Sequence, residues 1–272
     1  MLGRELLGIL DGSARGLARQ DMDITDRESV QRVLLTLKPA VVVNAIAFTD
    51  VDGCESNREL AFRINGDGVR NLAESSARIG AKLVHISSDY VFDGIKGKPY
   101  LEEDPVNPLS VYGKSKLAGE ENARINPDHL IIRTQWLYGL HGKNFVETML
   151  RLAKERKELS VVDDQIGSPT WTVDLALAVK ALIDRDCRGT YHAVNSGSCS
   201  WHDFADAIFA EEGIGIQLSP MTSAKLDRPA PRPLFSVLDC GKMAKDTGMQ
   251  LENWRDALRK YLKARKGDHG NR

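Results

Sequence analysis

The chain has 272 residues, 42% of them hydrophobic and 28% charged, and a formal net charge of −1, the proportions of a globular protein with one large or two smaller domains. That balance argues against a general nucleic-acid binder or a protein of anionic membrane surfaces, and no apolar run approaches the roughly 20 residues of a membrane-spanning helix. The N-terminus reads without a secretory leader, and Cys54, Cys187, Cys199 and Cys240 form no Cys-x-x-Cys pair, so a cytoplasmic protein with reduced thiols and no metal is expected.

Met1-Leu2-Gly3-Arg4-Glu5-Leu6-Leu7 reads as the end of a glycine-rich turn entering its helix, with Gly3 as the last glycine, where helix and strand pack closely. On this reading the first strand and the earlier glycines, about ten residues, are missing. A strand over residues 14–18 would end at Arg19, where an arginine suits a 2′-phosphate and favours NADPH over NADH. The spacing predicts a helix over residues 25–37 with Thr25 as N-cap and Glu28 completing a capping box. Residues 41–45 form a β-branched run, and the small residues after it would let a cofactor lie against the backbone. Helical periodicity covers 59–79 and ends at Gly80. Further unbroken apolar runs at 82–87, 129–133 and 190–194 suit strands buried on both faces. Residues 154–158 read as a solvated helix end, 200–212 as a helix, and 228–233 as a proline-rich loop that can order around a ligand. A last helix over 252–264 carries Trp254, Leu258, Tyr261 and Leu262 as one apolar stripe, and the tail from Lys266 is expected to fray. This alternation of strands and helices predicts an α/β fold with a parallel sheet.

The chemistry concentrates in two places. Tyr112 and Lys116 are four residues apart and share a helical face. A free phenol, with a pKa near about 10, is a poor acid at neutral pH, and a neighbouring ammonium would lower it. The pair could then protonate a carbonyl as it becomes an alkoxide. Ser87-Ser88-Asp89-Tyr90 follows a buried strand, beyond whose C-terminal end ligands of open α/β sheets bind. A hydroxyl there can hold the substrate oxygen as charge develops on it.

These motifs, in this order, resemble the extended short-chain dehydrogenase/reductases. Within them the chain is similar to the dTDP-4-dehydrorhamnose reductases over nearly its whole length. Leu2-Gly3-Arg4-Glu5-Leu6, Asp23-Ile24-Thr25-Asp26, Asn44 to Ala47, Ile86 to Gly94, Val111 to Glu120, Arg133 to Tyr138, Gly167 to Thr170 and Trp201 to Phe204 carry the resemblance. It implies a doubly wound, Rossmann-type parallel sheet lacking its first strand, with a smaller C-terminal substrate-binding domain. Residues 1–137 with 171–194 would bind the dinucleotide, and 138–170 with 195–272 the substrate. The implied activity is reduction of the 4-keto group of dTDP-4-dehydro-β-L-rhamnose by NADPH, or NADH, for polysaccharide biosynthesis.

The resemblance makes Tyr112 the proton donor, gives Lys116 the nicotinamide ribose, and puts Ser88 beside the sugar oxygen. Met1, Leu2, Gly3, Arg19, Asp23, Ile24, Ala45, Ala47, Phe48 and Thr49 would contact the cofactor. Asp89, Trp136 and Arg232 would contact the dTDP-sugar. A homodimer fits the family, and no metal ligand carries over. Gln135 stands where members often have Ser, a departure with no reading from the sequence. Two alternatives keep the fold: a non-catalytic subunit like the β regulatory subunit of methionine adenosyltransferase, or a nucleotide-sugar epimerase or dehydratase.

Overall fold

A computed structural model describes residues 1–270. Helix α1 (Leu2–Ile9) opens the chain, burying Leu2 and Leu6. The strand expected over residues 14–18 does not form: this stretch is irregular, and the Arg19 side chain is 81% exposed. A strand exists only through its neighbours, and no described strand lies beside this segment. Helix α2 (Arg27–Leu37) starts later than predicted, because Asp26 and not Thr25 is its cap, accepting from the Glu28 and Ser29 amides. Thr25 instead turns back to Asp23.

Strand β1 (Val41–Asn44) leads into helices α3 (Val51–Ser56) and α4 (Arg58–Phe62). The single helix predicted over 59–79 is interrupted by a π-helical turn, Arg63–Asp67, before α5 (Gly68–Arg78). Such a turn inserts one residue into the helical register, and here Asn65 faces inward and is buried. Strand β2 (Lys82–Ser88), helix α6 (Val111–Ala123) and strand β3 (His129–Thr134) complete the first half.

The second half adds β4 (Leu137–Tyr138), α7 (Phe145–Glu155), β5 (Glu158–Val162), β6 (Ile166–Gly167), β7 (Thr170–Trp171), α8 (Thr172–Asp184) and β8 (Gly189–His192). Then come β9 (Cys199–Ser200), α9 (Trp201–Glu212), β10 (Gln217–Met221), α10 (Gly241–Thr247) and α11 (Trp254–Gly270). Helix α9 is capped reciprocally by Ser200 and Asp203.

The main sheet runs β1-β2-β3-β8, all parallel. Its apolar side chains split between two helical layers, which makes the fold doubly wound. Leu83 and Ile131 pack with Val30, Leu34, Val69 and Leu72 of α2 and α5. Val84, Leu130 and Ile132 pack on the other face with Leu2, Leu6, Leu175, Val179 and Met243 of α1, α8 and α10. A third core joins Tyr138, Val146, Phe204, Trp254, Leu258, Tyr261 and Leu262, so the aromatic stripe of the last helix is packing. Each such side chain contributes about 1.5–3 kcal/mol on burial. That helix does not fray at Lys266 but runs on to Gly270, held by Arg265 to Glu147 at 3.1 Å and Lys266 to Glu212 at 2.9 Å. The last two residues of the expected frayed tail lie outside the described residues. All four cysteines are free. Among the described residues no helix is long and apolar enough to cross a membrane.

Candidate active site

Strand β2 ends at Ser88, whose hydroxyl accepts from the Tyr90 amide at 3.2 Å and so caps the short 3-10 turn Asp89–Val91. Helix α6 begins opposite this turn. Ser110 accepts from the Gly113 amide, and Glu55 of α3 accepts from Val111 N at 2.8 Å. These two caps fix the first turn of α6, where Tyr112 sits. The Tyr112 ring meets Tyr90 edge to face, with centroids 5.2 Å apart, and its phenol lies on the side of the Ser88 hydroxyl. Gly113 lies so close to the Tyr90 carbonyl that a Cβ would meet it at 2.3 Å, so the contact between helix and turn requires glycine.

Burial pushes the Tyr112 phenol above its ordinary range, against the opposing influence of the Ser88 hydroxyl. This differs from the expectation that a lysine lowers it. The Lys116 ammonium is buried one turn along α6 and donates to the Ile86 carbonyl at 2.7 Å. Burial lowers Lys116 to about 8, with Glu120 acting the other way. Below it, Asn44 Nδ2 lies 3.2 Å from His85 Nδ1. His85 is held neutral, first by burial and then by Lys116.

Two features under the site escaped sequence reasoning. Glu120 of α6 accepts from Arg133 Nε and Nη2, each at 2.8 Å, and from Ser87 at 2.7 Å, all buried. Asn65, presented by the π turn, accepts from Phe48 N at 2.8 Å and donates to Phe48 O at 3.1 Å and to Ser115 Oγ at 2.9 Å. It ties the loop after β1 to the helix of Tyr112. The only sequence signal was Asn-Gly inside a helical pattern.

The residues expected to hold a dinucleotide fall along one edge. Ala45 and Thr49 are exposed, and Ala47 and Phe48 half-buried, beyond the C-terminal end of β1. Asp23 accepts from the Thr25 amide and hydroxyl, which hold its carboxyl below the usual range, with Arg19 at 3.4 Å. Ile24 is buried, and a Cβ on Gly68 would meet it at 2.8 Å. At the N-terminus Met1 caps α1 and is exposed, while the Leu2 side chain belongs to the core. Gly3 does not show the close helix–strand contact expected of it: nothing lies within 4 Å of where its Cβ would be.

Among the residues expected to meet the sugar nucleotide, Arg232 grips Asp52 of α3 at 3.1 and 3.0 Å, and Arg228 adds a third bond at 3.0 Å. Arg232 also lies near Tyr90, which brings the loop toward the turn Asp89–Val91. Trp136 takes a left-handed backbone (φ 47°) and stacks on Trp201 at 3.6 Å. The Asp89 carboxylate points inward to Ser88 and Ser236 rather than into the cleft. Gln135 donates to the Ser236 carbonyl at 3.2 Å, which gives that residue a structural role.

A parallel sheet wound on both faces, with Ser88, Tyr112 and Lys116 gathered beyond the strand ends, defines a Rossmann-type short-chain dehydrogenase/reductase fold. The RmlD substrate binding domain family matches residues 1–266, and the chain belongs to that family. It is 48% identical over 250 residues to the spore coat polysaccharide biosynthesis protein SpsK of Bacillus subtilis (strain 168), covering 92% of this chain and 88% of that one. The dTDP-4-dehydrorhamnose reductase of Clostridium acetobutylicum ATCC 824 is 44% identical, with a TM-score of 0.94 over 97% of this chain and 95% of that one. The dTDP-4-dehydrorhamnose reductase of Bacillus anthracis str. Ames, solved in complex with NADP, is 39% identical, with a TM-score of 0.93 over 96% of this chain and 94% of that one.

Proposed function

We propose that the chain reduces the 4-keto group of dTDP-4-dehydro-β-L-rhamnose to give dTDP-L-rhamnose, using NADPH. The observation that carries the proposal is the convergence at the mouth of the sheet of Ser88 at the end of β2, Tyr112 in the first turn of α6 and Lys116 one turn further along. The residues present suit a nicotinamide dinucleotide. A loop of small residues, pinned by Asn65, lies beside the Lys116 helix, and an exposed Arg19 beside Asp23 suits a 2′-phosphate. The N-terminal amides of α1 at Met1, Leu2 and Gly3 suit a pyrophosphate. When bound, the cofactor supplies the hydride.

The protein's own groups do the rest. Burial keeps the Tyr112 phenol protonated through neutral pH, so it arrives as an acid with its proton in place. Ser88 donates to the same oxygen and stabilises the charge that develops there. Lys116 carries a positive charge below about 8 and supports the ribose side of the site. Arg232 and Arg228 offer guanidinium groups to a diphosphate once Asp52 yields them. The stacked Trp136 and Trp201 form an apolar wall for the sugar. The domain division stated above and a cytoplasmic location complete the proposal, the latter supported by the free thiols.

The test mixes the protein with NADPH and the keto-sugar nucleotide and follows the absorbance of the reduced cofactor. Stoichiometric consumption with formation of dTDP-L-rhamnose is the expected result. No consumption, under conditions where a known reductase turns over, rejects the proposal. Conversion of the keto-sugar nucleotide to an isomer, without net consumption of NADPH, would point to an epimerase.

A further inference from the structure

Residues 222–233 form an arch that reaches from the second half of the chain to the first. One end is tied down where Asp164 accepts from Ser223 N at 2.9 Å and from Ser223 Oγ at 3.0 Å. Just past the other end, Ile166 N donates to the Leu234 carbonyl at 2.7 Å and Phe235 N to the Gly94 carbonyl at 3.3 Å. Between these ties residues 224–229 are all exposed. Four hydrogen bonds hold the arch to α3, and all four end on one carboxylate. Asp52 Oδ1 accepts from Ala230 N at 3.2 Å and from Arg232 Nη1 at 3.1 Å. Oδ2 accepts from Arg232 Nη2 and Arg228 Nη1, each at 3.0 Å. Two bonds on each oxygen saturate the group.

The place of this carboxylate matters. Helix α3 follows the loop after β1; its Glu55 caps the first turn of α6, and its Cys54 shares a core with Tyr112. Asp52 therefore stands at the mouth of the sheet. Its donors, two guanidinium groups and a main-chain amide, are the kind that hold phosphate oxygens. Arg232 uses both hydrogens of Nη1, on Asp52 and on the Ala230 carbonyl at 2.8 Å, and one of Nη2 on Asp52. Its end-on edge is thus fully engaged, and Asp52 must let go before a phosphate can have it. Burial pushes the Asp52 carboxyl up, but the bonds from Arg232 and Ala230 and the arginine charges outweigh it. The carboxyl stays below its ordinary value, so the ionised form holds the arch.

We infer that Asp52 is a built-in rival of the ligand: in the free protein it latches the arginines of this arch, and a nucleoside diphosphate must take them from it in order to bind. The inference rests on the reading above that this arch meets the sugar nucleotide. Binding is then an exchange of one anion for another, and only the unlatched fraction of the protein accepts the ligand. Removing the carboxylate removes the competition. Opening can be read without any ligand. Lys225 is the one basic residue of the arch not followed by proline, since Pro229 follows Arg228 and Pro233 follows Arg232. Trypsin does not cut before proline, so an open arch shows as a cut after Lys225.

The experiment compares wild type with Asp52→Asn, which keeps the shape and removes the charge. Calorimetry measures the binding of dTDP and, separately, of NADPH. Limited digestion of the free protein measures the cut after Lys225. Asp52→Asn is expected to bind dTDP about three- to tenfold tighter, the range for a partly exposed network of ion pairs. The cut should speed up by a similar factor, because both readouts follow the unlatched fraction. NADPH binding should stay within about twofold. Arg228→Gln loosens the latch from the side of the arch and should speed the cut at least about twofold, which keeps the test decisive if Asp52→Asn does not fold. Unchanged or weaker dTDP binding overturns the inference, since Asp52 would then aim the arginines rather than compete for them. Tighter dTDP binding with an unchanged cut also overturns it, because plain charge repulsion would suffice. A gain confined to NADPH overturns it too. Turnover is a separate arm: a wild-type protein that consumes no NADPH with the keto-sugar nucleotide rejects the reductase reading, while dTDP binding and the cut still decide the latch.

Discussion

Glu120→Gln tests how far the site rests on one buried charge. The Glu120 side chain is 0% exposed and that of Arg133 3%. Two bonds at 2.8 Å from Arg133 and one at 2.7 Å from Ser87 saturate the carboxylate. Glutamine keeps the shape but sets an NH2 against a guanidinium, which is left buried with no counter-charge. Removing one member of a buried pair costs about 3–5 kcal/mol. The half-exposed Arg124 at 3.4 Å changes that little. For a chain of this size each kcal/mol moves Tm by roughly 2–4 °C, so a fall of about 6–20 °C is expected.

The pH dependence has a definite sign. Burial pushes the Glu120 carboxyl up, but the bonds and charge of Arg133 outweigh it and hold it below its ordinary value. The pair's contribution is therefore present above the unfolded carboxylate value, about 4.3, and is lost as pH falls through the folded one. The deficit of the variant should shrink in acid. Glu120 also raises Lys116, so its loss should move the Lys116 limb of activity to lower pH. Urea unfolding followed by circular dichroism measures the first effect, and a pH–rate profile the second. Glu120→Leu with Arg133→Leu removes both charges and should recover part of the loss. A single-variant cost under about 1 kcal/mol, or a double variant as unstable as the two singles summed, would refute the uncompensated charge as the cause.

Three further outcomes follow from the same geometry. Tyr112→Phe should lower kcat by roughly 10²–10⁴-fold while cofactor binding, read by fluorescence titration, stays within about twofold. Asn65→Ala removes two hydrogen bonds to Phe48 in the loop after β1 and one to Ser115 of α6. It should cost about 2–3 kcal/mol by urea unfolding and raise the cofactor KM more than it lowers kcat; an unchanged KM would dissociate the loop from cofactor binding. Arg232→Ala should raise the sugar-nucleotide KM roughly tenfold to a hundredfold, the worth of a charge-assisted bond, with little change in kcat.

The main strands were legible because their apolar runs are unbroken, as burial on both faces demands, and only their ends moved by a residue or two. Tyr112, Lys116 and Ser88 were legible because their chemistry is local: one helical turn, and one strand end. The segment 14–18 was not, since a short run becomes a strand only when another lies beside it. Asn65 was hidden because a π turn leaves no mark on helical periodicity. The Glu120–Arg133 pair joins residues from a helix and a strand whose contact the fold alone creates. The opposite effect on Tyr112 had the same origin. Spacing puts an ammonium and a phenol on one face, but the depth of burial decides which influence prevails, and depth is a property of the packed molecule.

Among the described residues, strand β1 is the outermost strand of the main sheet and pairs only with β2. No described strand pairs with its other side, and Ile46 just beyond it is exposed. An edge of that kind is a template for any extended segment with matching groups, including the same strand of another molecule. Neither a proline nor a lysine stands within Val41–Asn44 to discourage such pairing. This margin predicts self-association that grows with concentration, which light scattering across a dilution series would record.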